Sequence, residues 1–559
     1  MKKTAWLFGI LLLIGLTIFS LNTPPVAAEN HIIVTITDDI VANDGECSLR
    51  EAIAAANSNV PSGFLPGECA AGSATETDVI LLDAGESYNL TIQGADEDWG
   101  ETGDLDILNN PDVEIDIHVK VTGEGTARIN ASFLNDRIWH VHSDAHLVLE
   151  QVETFGGSSP LGGGLFNDNG RVTLTNTVFA LNTAYTGGAI ANNGANAVIV
   201  ANDTEILRNT ANTTHGGGVL NQNGASIFLI GSHVYGNQAA EHGGGLANGA
   251  DESVINISRS TLNDNEAGSC GGAVANWGGG VHVHFGSQIL NNSAAQYGGG
   301  VCNGSGVVNM IMETVIEGNE SSFYGGGISN ADLLNITDSV VRNNKAFDNN
   351  NDGGFGGGFY TAPGSQTKIN RSAILGNTAD HSGGAILAQG TLEIYNSTLS
   401  GNFAIFGGGL LVWPLADVTV VNATIAANAS VGQNGVGLLQ AGGQIAIGNS
   451  LLDNLGGNCY QSDGTFVSLG HNLSGDDSCL FTEAGDLNDV DPLLAELENG
   501  VHQLHPDSPA IDAGDAALCA ETSVFYLDQL GQTRPKFNGC DIGAVEWQGF
   551  DLYLPVIIR

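Results

Sequence analysis

The sequence predicts an all-β chain wound as a right-handed parallel β-helix, and two repeated phrases carry that prediction. The first phrase is two glycines, a third Gly or an Ala, and then an apolar residue, and successive copies start 24 to 31 residues apart. A period this regular is typical of a solenoid. The apolar residues of the copies are Leu165, Ile190, Val219, Leu246, Val274, Val301, Ile328, Phe359, Ile386 and Leu410.

The second phrase, an apolar residue, two others and then Asn, interleaves with the first between residues 171 and 428. Two phrases per period predict two fixed corners per coil. Asn tolerates left-handed backbone angles and can stack its amide on an identical amide in the next coil, and Gly permits turns that a Cβ would forbid. Short strands with inward apolar residues would join the corners, and the general rule for parallel crossovers makes the winding right-handed.

The first 28 residues have the pattern of a secretory signal. Lys2 and Lys3 precede an apolar run over residues 5–19, and small residues at 26–28 form a cleavage site. A retained membrane anchor is the alternative, because this run could just span a bilayer. We expect a secreted or cell-surface protein with no stable membrane span in the mature chain. The formal net charge of −45 repels polyanions, so nucleic acid is disfavoured as a partner.

Cysteine usage also fits an exported chain, because eight cysteines in such a protein favour disulfides. Their spacing suggests local loops that pair neighbours in the sequence. Cys270 and Cys302 lie in neighbouring repeats at different phases, and the sequence leaves that pair open. The local pairs are Cys47 with Cys69, Cys459 with Cys479, and Cys519 with Cys540.

A short helix is expected before the solenoid, because Ser48 and Glu51 form a capping box. Such a helix would cover the exposed edge of the first coil. Its setting, Cys-Ser-Leu-Arg-Glu-Ala at residues 47–52, resembles the signature of CSLREA-domain proteins, a family of exported bacterial repeat proteins. The segment 94–107 also resembles the stretch that comes after the signature in that family. The resemblance implies an N-terminal cap over residues 29–75.

Two further resemblances divide the rest of the chain. The paired phrases over about residues 160 to 430 resemble the repeats of polymorphic outer-membrane proteins. Phrases at 468–473, 491–494, 508–514 and 541–546 resemble the choice-of-anchor Q domain, which commonly closes such β-helices. The implied organisation is a pectin-lyase-like solenoid over residues 76–449, a C-terminal capping region over 450–547 and a short tail over 548–559.

One coil is irregular, and its insertion predicts a calcium site. The step from the Asn of one phrase to the apolar residue of the next is 15 residues from Asn344 to Phe359, against 8 to 10 elsewhere. Within it, Asp348, Asn350 and Asp352 alternate ahead of a glycine, as oxygen ligands do in the first half of an EF-hand loop. The twelfth position is Phe359 instead of Glu, so a polar surface loop is the alternative.

Other polar clusters have simpler explanations. The acidic residues between 96 and 106 could bind a hard cation, but solvated loop charge is the favoured explanation. His140, His142 and His146 alternate as residues on one strand face do, and so do His282 and His284. Two such imidazoles can share a transition metal, although an exposed strand face explains the same pattern.

Two functions are compatible with these observations. We expect a non-catalytic structural or adhesive role as a monomer, with an extracellular carbohydrate or protein as partner. The alternative is a polysaccharide lyase or hydrolase. A lyase of the pectate type needs a base to abstract a proton and calcium to neutralise the uronate, and Arg342 and Lys345, just before the insertion, are the candidate bases. Basic residues are scarce and the surface is strongly acidic, which favours the binding role.

Overall fold

The computed structural model describes residues 29–94, 100–113, 116–249, 252–310, 312–348, 353–432, 435–520 and 526–549. In these residues the chain forms successive coils in which each strand pairs in parallel with the equivalent strand one coil later. The predicted all-β parallel β-helix is therefore confirmed. The predicted signal segment, residues 1–28, lies outside the described residues.

Successive coils build three parallel sheets of 26, 15 and 11 strands. Most coils place two separate strands in the 26-stranded sheet, so we describe its two halves as sheet 1 and sheet 2 and call the other two sheet 3 and sheet 4, in the order in which the chain visits them after the glycine phrase. Sheet 1 contains Leu105–Ile107, Trp139–Val141, Leu165–Asp168, Ile190–Asn193, Val219–Gln222, Leu246–Asn248, Ile328–Asn330, Phe359–Thr361, Ile386–Ala388 and Leu410–Val412. Sheet 2 contains Glu29–Ile33, Thr77–Asp83, Ile117–Thr122, His146–Glu150, Arg171–Thr175, Val198–Asn202, Ser226–Ile230, Val254–Ser258, Leu333–Thr337, Gln366–Asn370, Thr391–Tyr395 and Asp417–Val421. Four long strands run through both of these sheets, Val274–His284, Val301–Met310, Leu438–Gly448 and Cys459–Ser468.

The other two sheets are shorter in the strand direction. Sheet 3 contains Ser87–Asn89, Ala127–Asn130, Val152–Phe155, Val178–Ala180, Glu205–Leu207, His233–Tyr235, Thr261–Asn263, Gln288–Leu290, Val315–Glu317, Val340–Arg342, Ala373–Leu375, Thr398–Ser400, Thr424–Ala426, Leu451–Asp453 and Leu473–Ser474. Sheet 4 contains Ser158–Leu161, Thr183–Thr186, Thr210–Ala211, Gln238–Ala239, Glu266–Ala267, Ser293–Ala294, Glu320–Ser321, Lys345–Ala346, Thr378–Ser382, Phe403–Phe406 and Ala429–Ser430.

Two buried asparagine columns hold the corners of the coils. In the column of the second phrase, each side-chain amide donates to the side-chain oxygen of the Asn one coil later, at 3.0 Å from Asn182 to Asn209 and 2.9 Å from Asn209 to Asn237. A second column begins at Asn167 and ends at Asn330, whose amide donates to the Thr367 hydroxyl at 3.0 Å. These ladders satisfy polar groups that would otherwise be buried without partners.

Glycine is required in the first phrase by crowding as well as by backbone angle. Gly216 has a φ of +68°, which L side chains rarely adopt, and a Cβ on Gly217 would lie 2.4 Å from the carbonyl oxygens of Gln238 and Gly244. The backbone of the next coil therefore occupies the space that a side chain would need. The glycine phrase therefore allows the chain to turn at this corner and allows successive coils to stack closely.

The N-terminal cap is built around a helix, α1, over Leu49–Ser58, which begins with the predicted capping box of Ser48 and Glu51. Arg50 from this helix is buried. It binds Asp39 through two hydrogen bonds of 2.7 and 3.2 Å and donates to the carbonyls of Gly100, Gly103 and Asp104. The arginine of the Cys-Ser-Leu-Arg-Glu-Ala motif thus fastens the cap to the acidic segment that comes after it.

The C-terminal region extends the coils and then returns along their flank. After Leu473–Ser474 come an antiparallel pair, Leu494–Glu498 with Val501–Leu504, and a short helix, α2, over Ala516–Cys519. The return segment lies on sheet 3, where Gln529 accepts a hydrogen bond from the Thr398 hydroxyl at 2.6 Å and donates to the Ser372 carbonyl at 3.2 Å.

The phrase at residues 541–546 is structural, because its acidic residues are buried in this region. Arg534 and Glu546 are fully buried with their side chains 3.4 Å apart. The Arg534 guanidinium also donates to the carbonyls of Asp541 and Gly543. Burial raises the pKa of Glu546 to about 7, and the nearby arginine opposes that rise.

All eight cysteines are paired, in the disulfides Cys47–Cys69, Cys270–Cys302, Cys459–Cys479 and Cys519–Cys540. Cys270–Cys302, the pair that the sequence left open, joins a corner of one coil to sheet 1 of the next. No helix among the described residues has the length and apolar character needed to cross a membrane.

Candidate functional site

A group of aromatic side chains lies along the outer surface of the rod, at the corner where sheet 4 meets sheet 1. We call it the aromatic strip. Several of its residues directly precede the glycine phrase, and this corner position is paired from coil to coil by single parallel bridges. The strip consists of Tyr297, Tyr324, Phe355, Tyr360, His381, Phe406 and Trp413.

Contacts between rings make the strip continuous. Tyr297 and Tyr324 stack almost parallel, with ring centroids 5.8 Å apart and an angle of 3°. Tyr324 lies 5.2 Å from Phe355 and 4.3 Å from Tyr360. Phe355 in turn contacts Trp413 with a tilt of 56°. Rings at these distances stabilise one another beyond simple burial.

The strip combines an apolar base with accessible rims. Buried Leu387, Leu411 and Leu439 pack beneath Phe355, Tyr360 and Trp413. At the two ends of the strip, Tyr297 is 38% exposed and Phe406 is 43% exposed. Contiguous accessible rings are a more specific signal than scattered surface aromatics, so the strip is a candidate interaction surface.

Polar chemistry is also built into the strip. The Tyr360 hydroxyl donates to the Gln389 side-chain oxygen at 2.7 Å. Burial raises the pKa of Tyr360 to about 12, so its phenol stays neutral and keeps its proton over the physiological range. The strip therefore offers hydroxyl and imidazole groups beside apolar ring surface.

The irregular coil borders this strip. Asp348 at the start of the insertion donates its backbone N–H to the Asp380 carboxylate at 3.2 Å, and its own carboxylate accepts from Gly353 N–H at 3.3 Å. Two residues after Gly353 the chain reaches Phe355 of the strip. Asn350 and Asp352, the other predicted calcium ligands, lie outside the described residues.

The two candidate bases are not brought together. Lys345 lies on sheet 4 near the insertion, with its ammonium 3.8 Å from the Asp380 carboxylate. Arg342 lies on sheet 3, where it forms an ion pair of 2.7 Å with Glu317 of the preceding coil. Lys345 and Arg342 therefore each have an acidic partner, and they lie on different sheets.

Two of the predicted polar clusters have identifiable partners. His282 Nδ1 accepts a hydrogen bond from the Asn309 side-chain amide at 2.9 Å, and His284 packs on Phe285. In the acidic segment, residues 96–98 lie outside the described residues, whereas Asp104 pairs with Arg137 at 3.1 Å and Asp106 contacts two histidines.

A groove of about 710 Å³ also lies between the rod and the returning C-terminal segment. Phe285, Met312 and Leu530 line it, together with the ion pair of Arg371 and Asp338.

Sequence reasoning missed the strip, although a signal was present. Tyr297, Tyr324, Phe355 and Phe406 each stand directly before the glycine phrase, and Tyr360 comes directly after its apolar residue. Within any single repeat, the position before the glycines is merely variable. A test for aromatic residues recurring at one phase of the repeat would have found the surface.

The chain matches no family model, and no curated protein matches it. Among solved structures, the crystal structure of pectate lyase Pel9A is similar at 16% sequence identity, with 84% of this chain and 88% of that chain covered and a TM-score of 0.26. The fold assignment rests on the strand pairing described above, and the similarity to that structure adds nothing about activity.

Proposed function

We propose that the mature chain is an exported, non-catalytic binding module that holds neutral polysaccharide along the aromatic strip. The observation that carries this proposal is the continuity of seven rings from neighbouring coils above a buried leucine base. Sugar rings offer an apolar face and equatorial hydroxyls, and stacked phenols with tilted indole and phenyl rings complement both.

Charge favours a neutral ligand over an acidic one. The chain has a formal net charge of −45, and such a surface repels uronic-acid polymers unless metal ions intervene. The described residues around the strip include Asp348 and Asp380, and the nearby Lys345 is paired with Asp380. Neutral glycans carry no charge, so the negative surface of the protein does not repel them.

Export is supported by three sequence features and by the disulfides. Residues 1–28 have the pattern of a secretory signal, and residues 47–52 and 541–546 resemble motifs of exported surface proteins. Four disulfides suit an oxidising compartment. We infer a monomeric protein at the cell surface or released from the cell.

Affinity electrophoresis and a glycan array with the intact mature protein test the binding role. Neutral polysaccharides such as xylan, mannan and glucan should retard or retain the protein, and polygalacturonate should not. Tyr324→Ala and Trp413→Ala should weaken binding about tenfold or more, because each removes ring area from the centre of the strip. The matched control is Tyr185→Ala, which removes a 62% exposed tyrosine from sheet 4 outside the strip.

Equal affinity in all three variants would remove the strip from the proposal. The alternative function, polysaccharide cleavage, is tested on the same panel by release of reducing ends and of unsaturated products, with and without calcium. Turnover that is lost in Lys345→Ala or Arg342→Ala would replace the binding role by the enzymatic one.

A further inference from the structure

Three side chains near the N-terminal cap converge on one point outside the aromatic strip. The Asp106 carboxylate oxygen Oδ1 lies 3.2 Å from His140 Nδ1 and 2.7 Å from His142 Nε2. Asp106 is directly opposite His140 in the pairing of Leu105–Ile107 with Trp139–Val141. His140 and His142 reach the same side of the sheet because side chains two residues apart in a strand share a face.

The surrounding structure holds this cluster in place. The second carboxylate oxygen of Asp106 accepts from Gly100 N–H at 2.8 Å, and the Asp106 carbonyl accepts from the Asn57 amide of α1 at 2.8 Å. Phe166 in the next coil stacks on His140, with centroids 5.2 Å apart. Since Arg50 also fixes Gly100, the cap orients the carboxylate and the adjoining coil orients an imidazole.

Electrostatics keep the carboxylate ionised. Asp106 is fully buried, and burial alone would raise its pKa, but the hydrogen bonds from His140 and His142 outweigh burial and the pKa is lowered. A buried anion facing two imidazole nitrogens is an arrangement that either protons or a cation can neutralise. Two imidazoles and one carboxylate are the ligands that Zn²⁺ accepts, whereas Ca²⁺ requires mainly oxygen ligands.

We propose that Asp106, His140 and His142 bind a zinc ion, with solvent at the fourth position. The three ligand atoms already lie within 4.8 Å of one another. Ligands about 2.0 to 2.1 Å from a tetrahedral zinc are separated by roughly 3.3 Å. The two imidazole nitrogens are 3.2 and 2.7 Å from Asp106 Oδ1, which is close to that spacing. The ion would replace the two histidine–aspartate hydrogen bonds and cross-link the first strand of sheet 1 to the second.

A second group, His215, Glu241 and His242, offers the same kinds of ligand and must be distinguished from the first. It is more open to solvent, and His215 Nδ1 is 3.9 Å from the Glu241 carboxylate. The cluster at Asp106 is more enclosed and its ligand atoms are closer together. The experiment therefore includes a variant at each place.

Isothermal titration of the EDTA-treated mature protein with ZnCl₂ tests the proposal. The wild type should bind one equivalent, and His142→Gln and Asp106→Asn should each weaken binding by at least about 100-fold, since losing a ligand exceeds the typical cost of losing an outer-shell partner. His282→Gln is the matched control, because His282 belongs to the other alternating pair and faces an asparagine in place of a carboxylate. This control should bind as the wild type does.

Thermal melting provides a second readout that guards against misfolding. Zinc should raise the melting temperature of the wild type and of His282→Gln, but not that of His140→Gln. Co²⁺ should give tetrahedral visible absorption that the His142→Gln variant lacks. Zinc binding that persists in Asp106→Asn and His142→Gln, or that is lost only in His242→Gln, would overturn the proposal, as would the absence of binding in the wild type.

Discussion

The side-chain amide of Asn237 donates to the side-chain oxygen of Asn265 at 3.0 Å and to the Ile206 carbonyl of the preceding coil at 2.8 Å. Its own oxygen accepts from both the amide and the backbone N–H of Asn209. One buried residue thus links three coils. The same arrangement recurs along the column to Asn428 and Asn454.

Replacing Asn237 by Ala should destabilise the rod. The change leaves two buried donors of Asn209 without their acceptor and removes two more hydrogen bonds, so we expect a loss of about 2 to 4 kcal/mol in the free energy of unfolding. Urea melts and local hydrogen exchange in sheet 3 and its corners measure the effect. Gln238→Ala is the control at an exposed neighbour and should change stability by less than about 0.5 kcal/mol. Equal effects of the two changes would contradict a role for the column.

Arg50→Met should loosen the N-terminal cap selectively. The variant leaves Asp39 as a buried carboxylate without its cation, and removing one partner of a buried pair costs about 3 to 5 kcal/mol. Faster hydrogen exchange in residues 29–94 and 100–108, with the later coils unchanged, is the expected result. Arg128→Met breaks the exposed pair with Glu153 and should cost at most about 1 kcal/mol. If hydrogen exchange in the cap were no faster in Arg50→Met than in Arg128→Met, the cap would not depend on Arg50.

Stability should depend on pH through Glu546. Its pKa is raised by burial from the ordinary 4.5 to about 7, so the folded state binds the proton more tightly than the unfolded state does. The stabilising contribution of that proton is fully present below pH 4.5 and is lost as pH rises through about 7. The difference corresponds to about 3 to 4 kcal/mol.

The Glu546→Gln variant isolates this contribution, because its side chain does not titrate. We expect a constant loss of stability from the altered contact with Arg534, together with a flatter decline between pH 4.5 and 7 than in the wild type. Melts at several pH values provide the comparison. Parallel pH profiles for the two proteins would show that another group carries the dependence.

Calcium binding by the insertion stays a prediction of the sequence. Calcium should raise the melting temperature of the mature protein by a few degrees, and Asp352→Ala should abolish the rise, because the site would lose one of its carboxylates. Asp417→Ala, an exposed acid on sheet 2, is the control and should preserve the response. A wild type that does not respond to calcium would rule out the site.

The repeated phrases predicted the winding of the chain well, for a physical reason. One corner needs glycine where a carbonyl of the next coil leaves no room for a Cβ, as at Gly217. The other needs an asparagine whose side-chain amide can form a hydrogen bond with the equivalent asparagine of the next coil, as at Asn237. These requirements are local to each coil. They recur at every turn, so a single sequence displays them many times.

The candidate sites depend on contacts that no phrase encodes. Tyr324 meets Tyr360 and Phe355 meets Trp413 only because coils of unequal length stack in one register. Asp106 meets His140 and His142 because Leu105–Ile107 pairs with Trp139–Val141 of the next coil, and Arg50 of the cap binds the backbone just before Asp106. The sequence showed the histidine alternation but did not show that a buried carboxylate faces it.

By itself, the sequence determined the solenoid, its two kinds of corner, the capping helix at Ser48 and the irregular coil after Asn344. Only the tertiary structure decided that rings before the glycine phrase form one strip, and that the C-terminal segment returns along sheet 3 through Gln529. The physical reason is the range of the interactions. Corner geometry is dictated within a few residues, whereas a surface is assembled from side chains of different coils whose alignment the whole stack sets.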